Sequence, residues 1–422
     1  MKTSERSFFA VLTALALAAS MLVNMTGCGI RVSAADLMEG ITPSGDHRPG
    51  KISSSDSAAA TDFGVKLLKA AAEKGENTLV SPISVIAALA MTMNGAKGQT
   101  LSEMEAVLGM TSEELNKFYR DYAAAMPQGV KCRVDLANSL WFRSDGTFTA
   151  DRDFLQTNAD YFGASIYAAP FDGTTLRDVN AWVKGKTKGM IPEILDDINP
   201  LSVMYLINAL AFEAEWAVIY QETAVSQGKF TLENGSKRTV DFMNSHEHNY
   251  LDGGNASGFI KYYAGQKCAF AALLPDEGVS LDEYVASLSG EKLAGILANA
   301  SSEQVIVSMP KFETEYGVEL SGALRSLGMT AAFDMDSADF SGIGKSAFGN
   351  IYIGEVIHKT FISVNEKGTR AGAATLIDMR AGAAAPTEEP KRVILDRPFV
   401  YMLIDCENNL PFFIGTMYDV GK

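Results

Sequence analysis

Residues 357–375 read IHKTFISVNEKGTRAGAAT, and the reading of the fold turns on this stretch. Its first half, Thr360 to Val364, is β-branched and aromatic, the composition of a strand. Its second half runs into Gly368, Ala371, Gly372, Ala373 and Ala374, which offer little to pack and predict a loop. Followed as far as Ala381, however, the same residues alternate. Thr369, Ala371, Ala373, Thr375, Ile377, Met379 and Ala381 are small or apolar, whereas Arg370, Gly372, Ala374, Leu376, Asp378 and Arg380 include all three charges. That is the pattern of a strand buried on one face. The Gly and Ala content makes it a weak strand. Two readings stand open here: a small-residue linker whose alternation is accidental, or an element with two states, loop and strand.

The surrounding composition is that of a folded protein. With 422 residues, 47% apolar and 21% charged, the chain has ample material for one large mixed fold or for two or three domains. A net charge of −15 argues against nucleic acid and anionic membrane surfaces as partners.

The N-terminus reads as an export signal, with Lys2 and Arg6 before an apolar run from Phe8 to Val23. The run ends in Met25-Thr26-Gly27-Cys28, similar to the bacterial lipobox, in which the cysteine is lipidated and becomes the mature N-terminus. Residues 1–28 are therefore read as a signal peptide. Residues 29–58, with Gly, Pro and the polar run Ser53 to Ser57, are read as a tether, and 59–422 as the folded body. Beyond Cys28 remain Cys132, Cys268 and Cys406, an odd and widely spaced set that gives no disulfide framework and predicts buried free thiols.

Along the body, Phe63, Leu67, Leu68 and Ala71 share a helical face, with Thr61 or Asp62 as cap. Ser81-Pro82 opens a second helix, apolar nearly all round to Met93 and ended by Gly95 and Gly98. Val134 to Phe148 alternates as a strand, Val179 to Ile191 reads as a helix, and Val203 to Trp216 as an apolar strand. Asn234-Gly235 joins the two runs of a hairpin between Phe230 and Met243. Strands follow at Phe270–Leu274 and Val305–Met309, a helix at Val318–Leu327, and strands again from Val400 to Met417. Helices dominate early and strands late, so the class is α+β with large antiparallel or mixed sheets.

Several stretches together resemble one family, the serpins. They are NTLVSPIS (77–84), GAKGQT (95–100), VNAWVKGKTKG (179–189), INALAFEAEW (207–216), LLPDEG (273–278), MPKFE (309–313), HKTFISVNEKGT (358–369) and DRPFVYMLID (396–405). The resemblance implies a large central sheet with two further sheets, eight or nine helices and an exposed reactive loop, here about residues 366–392. It also implies an activity that needs no cofactor. A serine protease cleaves the loop and is held as a covalent acyl complex while the loop inserts into the central sheet as a new strand. The implied inhibitor is a monomer, secreted or anchored at the cell surface through lipid on Cys28.

Site residues follow from the same resemblance. The hinge is Glu366, Gly368, Thr369, Arg370, Ala371, Gly372, Ala373, Ala374 and Thr375. Arg370 departs from the family, where an acidic residue is usual. Ser81, Ser84, Asn208 and His358 match the shutter beneath the sheet, and Trp216, Lys311 and Glu366 the breach where the loop first enters. The family keeps the distance from hinge to cleavage nearly fixed, and sixteen residues beyond Glu366 lies Gly382. The scissile bond is then Gly382–Ala383, suited to an elastase-like pocket, with Arg380–Ala381 as the alternative for a trypsin-like enzyme. The rival readings are a non-inhibitory binding or substrate-like surface lipoprotein on the same fold, and an enzyme. No Gly-x-Ser-x-Gly elbow is present, His246-Glu247-His248 lacks the spacing of a His-Glu-x-x-His zinc site, and Gly342–Ser346 resembles only half a phosphate loop.

Overall fold

A computed structural model describes residues 32–45, 49–369 and 389–421. Among these residues the chain forms nine α-helices, three large sheets and a two-stranded ribbon of β4 (Thr149–Ala150) and β14 (Gly344–Lys345). This is the α+β architecture read from the sequence.

The largest sheet has seven strands, in the order β1 (Ala35–Asp36), β5 (Ser165–Ala169), β3 (Cys132–Arg143), β6 (Met204–Glu215), β16 (Gly368–Thr369), β15 (Glu355–Asn365) and β13 (Phe312–Glu319). The six-stranded sheet contains β2 (Thr78–Val80), β19 (Leu410–Met417), β18 (Phe399–Asp405), β11 (Cys268–Pro275), β10 (Ala256–Tyr262) and β9 (Tyr250–Asp252). A four-stranded sheet of β17 (Lys391–Ile394), β12 (Val305–Pro310), β8 (Lys237–Glu247) and β7 (Val225–Thr231) completes the set. The hairpin expected around Asn234-Gly235 is the antiparallel β7–β8 pair, with Gly235 at φ +80° in its turn.

The helix Pro82–Met93 is buried at every position and touches β3, β6 and β19. It lies in the main core between the two larger sheets, which explains why its sequence has no polar face. A second core covers the other face of the large sheet, where Trp182, Val179 and Val183 of the helix Gly173–Lys186 meet Trp141, Tyr205 and Ile207. The large sheet is therefore buried on both sides along much of its length.

Three expectations are corrected. The tether expected over residues 29–58 is attached to the body wherever it is described. Ala35–Asp36 pairs with β5, the Ser33 and Ala34 amides donate to the Asp178 carboxylate at 2.7 and 2.9 Å, and Ser44 bonds Asp160. Leu37, Met38, Ile41 and Ile52 also pack against the main core, but their irregular spacing gives no helical or strand period to read. The first helix begins at Ser54, not near Thr61, because the polar serine run supplies its cap: Ser53 Oγ accepts from the Asp56 amide. Finally, Val318 and Glu319 end the strand β13, and the helix there is only Ser321–Ser326. The preceding residues alternate buried and exposed from Phe312, a period of two that the apolar spacing near Leu320 and Leu324 obscured.

Candidate functional site

The parallel pairing of β6 with β15 runs from Tyr205/Glu355 to Leu210/Thr360. Above it the two strands are separated by β16, whose Gly368 and Thr369 pair antiparallel with Glu215 and Ala214 on one side and with Asn365 and Val364 on the other. The first two residues of the small-residue segment thus already form a rung of the sheet. Gly368 sits at φ +153°, and a Cβ there would lie 2.0 Å from the Ala214 carbonyl oxygen, so only glycine fits. Thr369 is buried and its hydroxyl shares a 2.5 Å hydrogen bond with that of Tyr263.

The surrounding groups hold this rung. Trp216 donates its amide to the Lys367 carbonyl (2.9 Å) and its indole N–H to the Asn365 carbonyl (2.8 Å), and Tyr220 donates its amide to Glu366 O. The Trp216 ring stacks on Tyr263 at 4.4 Å. Lys311 Nζ lies 2.8 Å from Glu366 Oε2, and this bond holds the Glu366 carboxyl below its ordinary range. Both side chains are about one-third exposed. A neighbouring ammonium, Lys261, is buried, bonded to Glu247 at 2.8 Å and set over the rings of Tyr220 and Trp216. The structure therefore brings Trp216, Lys311 and Glu366 together.

Lower in the sheet, the fully buried His358 of β15 accepts the Ser81 amide at Nε2 (3.0 Å) and faces Asn208 Oδ1 from Nδ1 at 2.6 Å. With Nε2 accepting, the proton sits on Nδ1 and is donated to Asn208; the ring is neutral. Burial drives its pKa down to about 3. Asn208 in turn donates to Asn138 Oδ1, and Asn138 to the Tyr119 hydroxyl. Ser84 joins only through its amide, 3.4 Å from Ser81 Oγ, and its hydroxyl has no hydrogen-bond partner. Three of the four residues matched to the shutter are thus directly bonded, and the fourth is at the margin.

Sequence reasoning missed Tyr263, Lys261 and Asn138. Lys261 carried a signal, a cation within the mostly apolar run Gly258–Tyr263 that demands a partner when buried; Asn138 shares its strand with Arg133, Asp135 and Ser139 and did not stand out. His246 and Glu247 end β8, with His248 just beyond it, and Glu247 is bound to Lys261. The Gly342–Ser346 segment includes the short strand β14. The hinge residues Arg370, Ala371, Gly372, Ala373, Ala374 and Thr375 lie outside the described residues. So do both bonds considered for cleavage, Gly382–Ala383 and Arg380–Ala381, as well as Cys28.

Comparison with known proteins gives consistent results. The family model described as Serpin (serine protease inhibitor) matches residues 58–420. A serpin-like protein of Thermococcus kodakarensis is 29% identical over 366 residues, covering 85% of this chain and 84% of that one. The leukocyte elastase inhibitor of Equus caballus is 29% identical over 377 residues, covering 85% and 98%. The crystal structure of the thermophilic serpin tengpin in its native state superposes with a TM-score of 0.87 at 45% identity, covering 92% of this chain and all of that one.

Proposed function

Because the chain belongs to the serpin family, we propose that it is an irreversible suicide-substrate inhibitor of serine proteases. The observation that carries the reading is the Gly368–Thr369 rung between β6 and β15. It fixes a register, and the sequence beyond it fits that register.

Continued down the sheet, the pairing sets Ala371 between Phe212 and Ile362, Ala373 between Leu210 and Thr360, and Ile377 between Leu206 and Val356. All six neighbours are buried, and each incoming side chain shares the face of Thr369. Arg370 falls on the opposite face beside Glu213, a partly exposed carboxylate that now bonds Arg133 at 3.2 Å. An arginine is thus compatible with insertion at this position. The strand extends to Met379 beside Met204, the first residue of β6.

The chemistry belongs to the protease. Its serine attacks the scissile carbonyl and is acylated, and the new amine leaves with the C-terminal part of the loop. Insertion then carries the acyl group along the sheet and pulls the protease's oxyanion hole out of alignment before water can attack. This chain supplies the bait and the strand. The bait is Gly382–Ala383 for an elastase-like enzyme, with Arg380–Ala381 as the alternative for a trypsin-like one. The same reading has the protein exported and attached to membrane lipid through Cys28.

The test mixes the exported body with an elastase-like and a trypsin-like protease and looks for a denaturant-resistant complex by gel. The released C-terminal peptide is then sequenced. A complex with a new N-terminus at Ala383 supports the reading, and one at Ala381 moves the bait to Arg380. Cleavage without complex under any protease refutes inhibition and leaves a substrate-like member of the fold. Metabolic labelling with a radioactive fatty acid, lost in Cys28→Ser, tests the anchor.

A further inference from the structure

Only residues 29–31 lie between Cys28 and Val32, and from Val32 onward the chain is bound to the body. Val32 and Ala34 pack against the core between the large sheet and the helix Gly173–Lys186. The Ser33 and Ala34 amides donate to Asp178 of that helix. Ala35–Asp36 then joins the sheet as β1, and Leu37 donates its amide to the Ile166 carbonyl. Further along, Gln156 donates to the Thr42 carbonyl, and Ser44 holds Asp160 through both amide and hydroxyl. A free tether over residues 29–58 would span about 30 Å on average. The four Cα spacings from Cys28 to Val32 reach at most ~14 Å.

The attachment sits at one end of the large sheet. Asp36 pairs with Tyr167, Tyr167 with Trp141, Trp141 with Tyr205, and Tyr205 with Glu355 at the start of β15. The hinge rung lies at Ala214 of the same strand β6, about 30 Å further along it. The far side of the reactive loop returns to that second end as well. Its strand β17 pairs with β12, which leads through Lys311 into β13 at Phe312, and Phe312 pairs with Val364 beside the rung.

We infer that a lipid bilayer covers the β1 edge of the large sheet and the neighbouring helix Gly173–Lys186, with the reactive loop at the end that faces away from it. The inference rests on the lipid-anchored reading of Cys28 above. Acyl chains on Cys28 fix that residue at the headgroups, and ~14 Å of chain then keeps Val32, and the core it packs on, against the membrane surface. Charge does not choose this face. Arg177 and Lys184 of the helix are exposed, but the exposed Glu193 and Asp196 line the same groove, and the whole chain carries −15. The length of the tether chooses it. The bait is thereby presented to proteases that arrive from solution.

The three tryptophans report this geometry without added labels. Trp141 and Trp182 belong to the core that Val32 and Ala34 cover, whereas Trp216 is at the hinge. The full chain, purified with its lipid, is reconstituted into phosphatidylglycerol–phosphatidylethanolamine vesicles that contain dansyl-phosphatidylethanolamine, and energy transfer from tryptophan to dansyl is measured. Twenty Gly/Ser residues inserted between Gly29 and Ile30 add about 25 Å of average reach and leave residues 32–44 unchanged. The expected result is severalfold lower transfer in the spacer variant, and transfer close to the parent's in Trp216→Phe. Equal transfer from parent and spacer variant overturns the inference, as does transfer that disappears with Trp216. Should Trp216→Phe fail to fold, the orientation is read from cleavage of the loop by added protease. A rate on vesicles equal to that in detergent supports the outward loop, and a severalfold slower rate on vesicles refutes it. A chain whose intact mass shows no acyl group on Cys28 fails at the anchored reading itself, and the inference falls with it.

Discussion

Placing a carboxylate at position 371 should block insertion, while the same change one residue earlier should not. In the register set by Thr369, the side chain of residue 371 enters between Phe212 and Ile362, which are 2% and 1% exposed. Phe212 is packed on Tyr263 and Phe412 at centroid distances of 5.0 and 5.3 Å, which leaves an entirely aromatic and aliphatic surround. An unpaired ion there costs several kcal/mol. Protonation sets the ceiling: neutralising a glutamate of ordinary pKa near 4.3 at pH 7 costs about 3.7 kcal/mol, or roughly a 500-fold slowing if the transition state feels all of it. At pH 5 the ceiling falls to about 1 kcal/mol, so acid should partly restore trapping. At position 370 a glutamate faces Glu213 at the partly exposed surface, where such pairs are worth only about 0.2–1 kcal/mol.

The assay is the fraction of protease held as covalent complex, measured for Ala371→Glu, Arg370→Glu and, as a control for bulk alone, Ala371→Leu. Ala371→Glu should yield mainly cleaved chain, Arg370→Glu mainly complex, and Ala371→Leu should lie between them without a pH dependence. Equal behaviour of the two glutamate variants would refute the register, and with it the assignment of faces.

Further outcomes follow from the same geometry. His358 has a folded pKa near 3 against about 6.5 unfolded, so below 6.5 the unfolded chain binds a proton that the folded chain refuses. Its contribution is complete above pH 6.5 and is lost at about 1.4 kcal/mol per pH unit as pH falls toward 3. Urea unfolding at pH 6.5 and 5.5 should show this loss, and His358→Asn should not. Gly368→Ala meets the Ala214 carbonyl oxygen at 2.0 Å and should expel the hinge from the sheet. Faster proteolysis within residues 366–370 would report the expulsion, and an unchanged rate would count against the rung. Lys311→Ala removes a pair about one-third exposed on both sides and should lower stability by only ~0.2–1 kcal/mol, read as a small shift in thermal midpoint. Asp378→Asn removes a like charge that the register sets beside Glu355, and should increase the thermal gain on loop cleavage.

The sequence pattern revealed the class and most strands, because those depend on local period. His358 and Asn208 came from the family resemblance, and the structure finds each of them buried with a hydrogen-bond partner. What the pattern hid was contact between distant segments. Nothing near Tyr262-Tyr263 marks the second ring as the holder of Thr369, because that role depends on stacking against Trp216, 47 residues earlier. The serine run at 53–57 misled in the opposite direction, since a helix cap and a flexible linker draw on the same residue types.

The shutter and the loop are joined by one position that the alternation alone presents as merely small. Continued from Thr369, the register brings Thr375 to Asn208 on one side and to His358 on the other. These two residues now face each other across the parallel pair and share the 2.6 Å bond from Nδ1 to Oδ1. An inserted strand must separate them, and each buried polar group left without a partner costs about 1–3 kcal/mol. The threonine hydroxyl can accept from His358 Nδ1 and donate to Asn208 Oδ1, replacing the bond that its arrival breaks. Valine has the same shape and neither capacity. Thr375→Val should therefore leave the uncleaved protein's unfolding temperature unchanged while reducing the gain on cleavage. A variant that gains as much as the parent would mean that the strand stops short of the shutter.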